Sequence, residues 1–156
     1  GAGLRLNEVC HLKVSDIDSA RMTLRIEQGK GAKDRYTLLS PKLLTELRRY
    51  WAGYRPKLWL FTSKDGAHPI SDTMVHRLYH AAKARAGIRK DGGIHALRHA
   101  FATHLLEAGV DIHTIQRLMG HGHISSTLRY FHLAREHLAN TPSPLDLLER
   151  PDTKPK

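Results

Sequence analysis

At 156 residues with 40% hydrophobic content, the chain is long enough for one domain with a real core. Lys and Arg number 25 against 15 Asp and Glu, a formal charge of +10 that favours a polyanionic partner, nucleic acid ahead of an anionic membrane. One cysteine, Cys10, excludes an intrachain disulfide and fits a reducing compartment, and no apolar run is long enough to span a membrane.

Gly1 to Arg5 run straight into a helical pattern with no lead-in, which leads us to expect a longer parent protein. Leu6, Val9 and Cys10 stand at helical spacing and predict a short helix over residues 4–12, with Arg5 and Glu8 at i and i+3 as a surface ion pair. Met22, Leu24 and Ile26 alternate with Thr23, Arg25 and Glu27, the pattern of a half-buried strand. Tyr36 to Leu39 form a second apolar run. Between the two lies Gln28 to Arg35, whose glycines and Asp34 make it a hairpin connection with Lys30, Lys33 and Arg35 at a basic tip. Such a tip is a solvated loop or, with glycines flanking Lys30, a place where backbone can approach a phosphate.

Ser40-Pro41 opens the next helix with a cap and a first-turn proline. Leu44, Leu47 and Trp51 give that helix a core face, and Gly53 is expected to end it. Trp59-Leu60-Phe61 is expected as a third, edge strand. A helix capped by Ser71 runs to about Ala86, with Gly87 as its stop. His76, Arg77, His80 and Lys83 make a basic stripe on it, suited to DNA backbone contacts or to plain solvation. The stretch from His95 to Leu105 reads as a helix whose Leu97, Phe101 and Leu105 recur at spacing four, a burying stripe. His95 and Arg98 lie side by side on it, a pair suited to gripping a phosphate: the guanidinium forks onto two oxygens and the imidazole exchanges protons near neutral pH. Asp111 caps a short helix with Ile112, Ile115 and Leu118 inward. The chain breaks at Gly120-His121-Gly122-His123, and Ser125 caps a helix holding Tyr130. A small hairpin sheet amid several helices makes the fold α+β, mainly helical.

Four segments together resemble a known family, the tyrosine recombinases or phage integrases. Gly3-Leu4-Arg5-Leu6-Asn7-Glu8 resembles their first arginine motif, and Gly29 to Arg35 their β-hairpin lysine motif. His95-Ala96-Leu97-Arg98-His99 is similar to their HxLRH box. Leu118-Met119-Gly120-His121, with Tyr130 nine residues after His121, is similar to their final histidine and nucleophilic tyrosine. The resemblance reaches to about Ala139. It implies a catalytic domain over residues 1–139, truncated at its front edge and lacking the N-terminal domain that clamps the other side of the DNA. A tail over residues 140–156 would follow, in which Leu145 to Leu148 dock in cis or on a neighbour.

The resemblance implies site-specific recombination of double-stranded DNA: Tyr130 attacks a phosphodiester, giving a 3′-phosphotyrosine and a free 5′-hydroxyl. Arg5 and Arg98 clamp the nonbridging oxygens. Lys30 protonates the leaving oxygen, with Lys33 on the same loop as its rival. His95 assists proton transfer at Tyr130, His121 hydrogen-bonds the phosphate and Glu8 orients the group from behind. Lys33, Arg35, His76, Arg77 and Lys83 are expected to bind DNA. His99 and His104 are expected to be structural. A covalent ester conserves the bond energy, so no ATP is required, and with two arginines neutralising the charge no metal cofactor is expected. The setting implied is a prokaryotic cytoplasm, at the nucleoid, with no membrane partner. The full-length protein would be a homotetramer on DNA and this piece a monomer in solution. The rival readings are a type IB topoisomerase, a non-catalytic DNA-binding regulator and a histidine-based metal module, the last without the Cys pairs or acids to complete a tetrahedral set.

Overall fold

The computed structural model describes residues 1–27 and 34–121. In chain order these form α1 (Leu6–Cys10), a 3-10 turn (Val14–Asp16), β1 (Ile17–Asp18), β2 (Thr23–Ile26), β3 (Arg35–Leu38), α2 (Pro41–Tyr54), α3 (Asp72–Arg85), α4 (His95–Glu107) and α5 (Ile112–Met119). Lys30, Lys33, Tyr130, the Ser125 helix and the 140–156 tail lie outside the described residues. Among the described residues no helix is long and apolar enough to cross a membrane.

The strands make one antiparallel sheet in the order β1-β2-β3, with Leu24 opposite Ile17 on one side and Thr37 on the other. Alternation along β2 buries Leu24 and Ile26, as a half-buried strand requires. They join Ala2, Leu12, Leu39, Leu44 and Leu60 in one of the two cores among the described residues. The third strand is β1, not Trp59-Leu60-Phe61 as expected. Trp59 makes only an isolated bridge to Lys13, and Leu60 is held by its backbone N–H donating to Leu12 O at 2.7 Å. One ladder step anchors the buried Leu60 without building a strand.

The helix starts follow their local signals. Ser40, Ser71 and Asp111 accept from the backbone N–H of Leu43, Met74 and Thr114, the third residue in each case. The ends and faces depart from expectation. α2 runs past Gly53 and stops at Arg55, whose φ of +49° supplies the left-handed cap and whose guanidinium stacks 4.3 Å from the Trp51 ring. Trp51 is consequently a surface residue. On α4 the stripe is rotated: Leu97 is 61% exposed, while Ala102 and Leu106 face α5 and form the second core with its Ile115 and Met119. Phe101 and Leu105 only flank that core. On α5 Met119 therefore joins Ile115 as fully buried, and Ile112 and Leu118 are half-buried.

Two links orient the front of the chain. Cys10 at the end of α1 is buried and donates its thiol to Asp72 Oδ1 of α3 at 3.1 Å. Thr37 on β3 is buried and donates its hydroxyl to Ala2 O at 2.9 Å. The turn carrying Arg5 is thereby pinned between the sheet and α3.

Candidate active site

Three arginines from three parts of the chain converge on the last turn of α5. Arg5 is the residue before α1, Arg35 opens β3, and Arg98 lies in the first turns of α4. The last carbonyls of a helix lack intrahelical donors and carry the negative end of its dipole. Three consecutive ones are taken here. Leu118 O accepts from Arg35 Nε at 3.2 Å, Met119 O from Arg98 Nη2 at 2.6 Å, and Gly120 O from Arg5 Nη2 at 2.5 Å. Arg98 Nη1 also donates to Gly3 O. Gly120 ends α5 with a φ of +64°, and a Cβ there would stand 2.6–2.8 Å from the side chain of Arg35. Both its backbone and its surroundings call for glycine.

Glu8 is the counter-charge. Arg35 grips it with a fork, Nη1 to Oε1 at 2.7 Å and Nη2 to Oε2 at 2.8 Å. Arg5 adds Nη1 to Oε1 at 2.8 Å and its backbone N–H to Oε2 at 2.6 Å, the acid in the first turn closing back on the residue that starts the helix. Arg98 Nη1 stands 4.0 Å from Oε2. Burial pushes the Glu8 carboxyl upward, but the hydrogen bonds from Arg35 and Arg5 outweigh it and hold the pKa at about 2. Three guanidiniums against one carboxylate leave an excess of positive charge. Its most open part is Arg5, whose side chain is 42% exposed against 10% for Arg35 and 11% for Arg98.

His121 follows directly. Its backbone N–H donates to Gln116 O, and Gln116 Nε2 donates to its carbonyl at 3.2 Å. Burial, followed by the charges of Arg98, Arg5 and Arg35, presses its pKa down to about 4. At neutral pH the imidazole is uncharged. His95 is exposed as the first residue of α4. It lines, with Arg98, a cavity of about 270 Å³ whose walls are mostly apolar, Leu4, Leu6 and Val9 among them.

The fold thus brings Arg5, Glu8, Arg98 and His121 together and sets His95 beside Arg98. Arg35, expected at the tip of a basic loop, instead opens β3 with its side chain turned inward onto Glu8. His76 and Lys83 are half-buried and Arg77 exposed on α3, a helix with no fully buried residue; Lys83 Nζ reaches Gly92 O at 3.4 Å. His104 pairs with Glu107 on the surface of α4.

The sequence model of the phage integrase family matches residues 1–137. The chain belongs to this family. Among curated relatives, the Sinorhizobium fredii protein y4qK, named for an assignment to the integrase/recombinases, is 49% identical over 154 residues, covering 99% of this chain and 50% of that protein. Among solved structures, the XerA recombinase superposes with a TM-score of 0.79 at 30% identity, covering 97% of this chain and 55% of that one. The XerH recombinase, crystallised with its palindromic difH substrate after cleavage, gives 0.75 at 27% identity, covering 88% and 40%. This integrase-family chain spans about half the length of the curated relatives it matches. Its catalytic-domain fold, helices around a small antiparallel sheet, is the one the α+β reading expected.

Two features of this candidate site are not evident from the sequence motifs. The row of α5 carbonyls is invisible because backbone acceptors leave no mark in a sequence. The inward turn of Arg35 did leave one: Arg35, Thr37 and Leu39 share a face at period two, and Thr37 and Leu39 are both buried.

Proposed function

We propose that this chain is the catalytic part of a site-specific DNA recombinase, residues 1–139 forming the catalytic domain and 140–156 a docking tail. Tyr130 Oη attacks a backbone phosphorus of double-stranded DNA. The Oη–P bond forms, the P–O5′ bond breaks, and the product is a 3′-phosphotyrosyl ester with a free 5′-hydroxyl. His95 takes the phenolic proton and Lys30 gives one to the departing oxygen, with Lys33 as the other candidate acid. Arg5 and Arg98 meet the charge that gathers on the nonbridging oxygens, and His121, neutral at pH 7, adds a hydrogen bond without competing for charge. Reversal by another strand's 5′-hydroxyl rejoins the DNA with no ATP.

The observation that carries the reading is the gathering of Arg5, Arg98 and His121 at the end of α5, on a chain of the integrase family. Membership favours strand exchange over the nicking-closing and regulator readings. DNA is the partner proposed for Lys33 and for the basic residues of α3, Arg77 among them, with a homotetramer as the working assembly. The test is covalent capture. The protein is incubated with a random-sequence library of nicked duplexes, and adducts that survive SDS are recovered and sequenced. Wild type is expected to yield adducts on a defined motif, and Tyr130→Phe none while still binding DNA. Adducts in that variant would move the nucleophile elsewhere, and none from wild type would remove the catalytic reading.

A further inference from the structure

Glu8 raises a problem that Arg35 solves. A buried carboxylate must be saturated with donors, and besides Arg5 and Arg35 the Arg98 guanidinium stands within reach, its Nη1 4.0 Å from Oε2. Arg98 is instead held on Gly3 O and Met119 O, where it faces the same α5 terminus as Arg5 and His121. Arg35 fills both carboxylate oxygens with its fork and adds a third bond to Leu118 O. The side chain is only 10% exposed. Its packing is tight enough that residue 120 has no room for a Cβ.

We infer that Arg35 is a positioning residue of this site: by saturating Glu8 and tying β3 to the α5 terminus, it keeps Arg98 on its backbone acceptors and fixes the spacing of Arg5 and Arg98. It touches no substrate. This assignment replaces the expectation that Arg35 contacts DNA, and it rests on the DNA-cleaving reading above. The chemistry of the fork is specific. Lysine keeps the charge but cannot span two carboxylate oxygens and a carbonyl at once. Without the fork, Glu8 draws on Arg98, and a displacement of about 1 Å at a clamp residue costs on the order of 10²-fold in rate.

The test uses the nicked duplex recovered from the library. Arg35→Lys and Arg35→Gln are each expected to slow adduct formation about 10²-fold, while the Kd for that duplex stays within about threefold and its salt slope is unchanged. Glu8→Gln combined with Arg35→Gln is expected to be no slower than Arg35→Gln alone, because Arg35 acts through Glu8. Near-wild-type rate in Arg35→Lys, a weaker and less salt-dependent Kd, or multiplying rate losses in the double variant would each overturn the assignment and return Arg35 to phosphate binding. Should Arg35→Gln fail to fold by circular dichroism, the rate and Kd are read from Arg35→Lys. Carboxyl-carbon NMR of Glu8 supplies a readout that needs no DNA: its titration moves up from about 2 in Arg35→Lys if the fork matters, and unchanged titration overturns the assignment. If wild type forms no adduct while the Glu8 titration moves, it is the DNA-cleaving reading that has failed and the Glu8 fork that has held.

Discussion

The α5 terminus and the α3 surface are both rich in basic side chains, and they hold them in opposite ways. At the α5 terminus Arg5, Arg35 and Arg98 each have a carbonyl of their own, and Glu8 binds two of them directly. On α3 the basic residues project from a helix with no fully buried position, and Lys83 reaches an acceptor only at 3.4 Å. The first arrangement has its orientation set before any ligand arrives. The second would have to order its side chains on any ligand, and so offers charge rather than geometry. Residue type alone does not separate preorganised cations from loosely held ones; the acceptors behind them do.

The largest effect should fall on the preorganised side. Arg98→Ala is expected to slow adduct formation by about 10³-fold, the cost of losing one preorganised charge-stabilising donor, with little change in DNA affinity. A loss confined to affinity would give Arg98 the role proposed for the basic residues of α3. Next comes acid. Glu8 has a folded pKa of about 2 against an ordinary 4.5, so the unfolded chain binds more protons between those values. Its stabilisation is complete above pH 4.5 and lost as pH falls to 2, a change of roughly 3 kcal/mol by the pKa difference. His121, folded at about 4 against an ordinary 6.5, acts in the same direction from pH 6.5 downward. Urea unfolding at stepped pH should show Glu8→Gln losing the lower part of this dependence. An unchanged profile would mean that Glu8 is not the buried counter-charge.

A smaller effect is expected on α3. Arg77→Ala should weaken DNA binding a few-fold and lessen the log–log salt slope by about 0.9, with adduct formation at saturating DNA unchanged. A large loss of rate at saturation would erase the distinction between the two regions. The smallest belongs to Leu97→Ser, which should alter stability by no more than about 0.5 kcal/mol because the side chain is mostly in solvent. A loss of several kcal/mol would restore the stripe that the sequence suggests.

Signals that act within four residues were legible in the sequence: the Ser40, Ser71 and Asp111 caps, the Arg5–Glu8 spacing, the alternation of β2. Those settled by a distant partner were not. Leu97 fits an apolar stripe as well as Ala102 does, and only the position of α5 decides which side of α4 is covered. Gly53 looks like a stop, yet α2 continues because Arg55 accepts the left-handed turn and stacks on Trp51. The family resemblance points to Arg5, Glu8, Arg98 and His121 one by one. It does not point to their common anchor, which is made of main-chain oxygens. The inward turn of Arg35 is set by Glu8, 27 residues away in the chain, a pairing that no local pattern reveals.

Cys10 gives the molecule a reporter. Its thiol is 1% exposed, and burial together with the Asp72 carboxylate raises its pKa to about 12. At pH 7 only about one thiol in 10⁵ is ionised, so alkylating reagents meet an unreactive sulfur while α1 stays seated on α3. Modification must wait for that seam to part. The rate at which iodoacetamide consumes the sole cysteine is therefore a clock for the opening of the very turn that carries Arg5 and Glu8. DNA or a substitution that steadies the turn should slow the clock, and one that loosens it should speed it up.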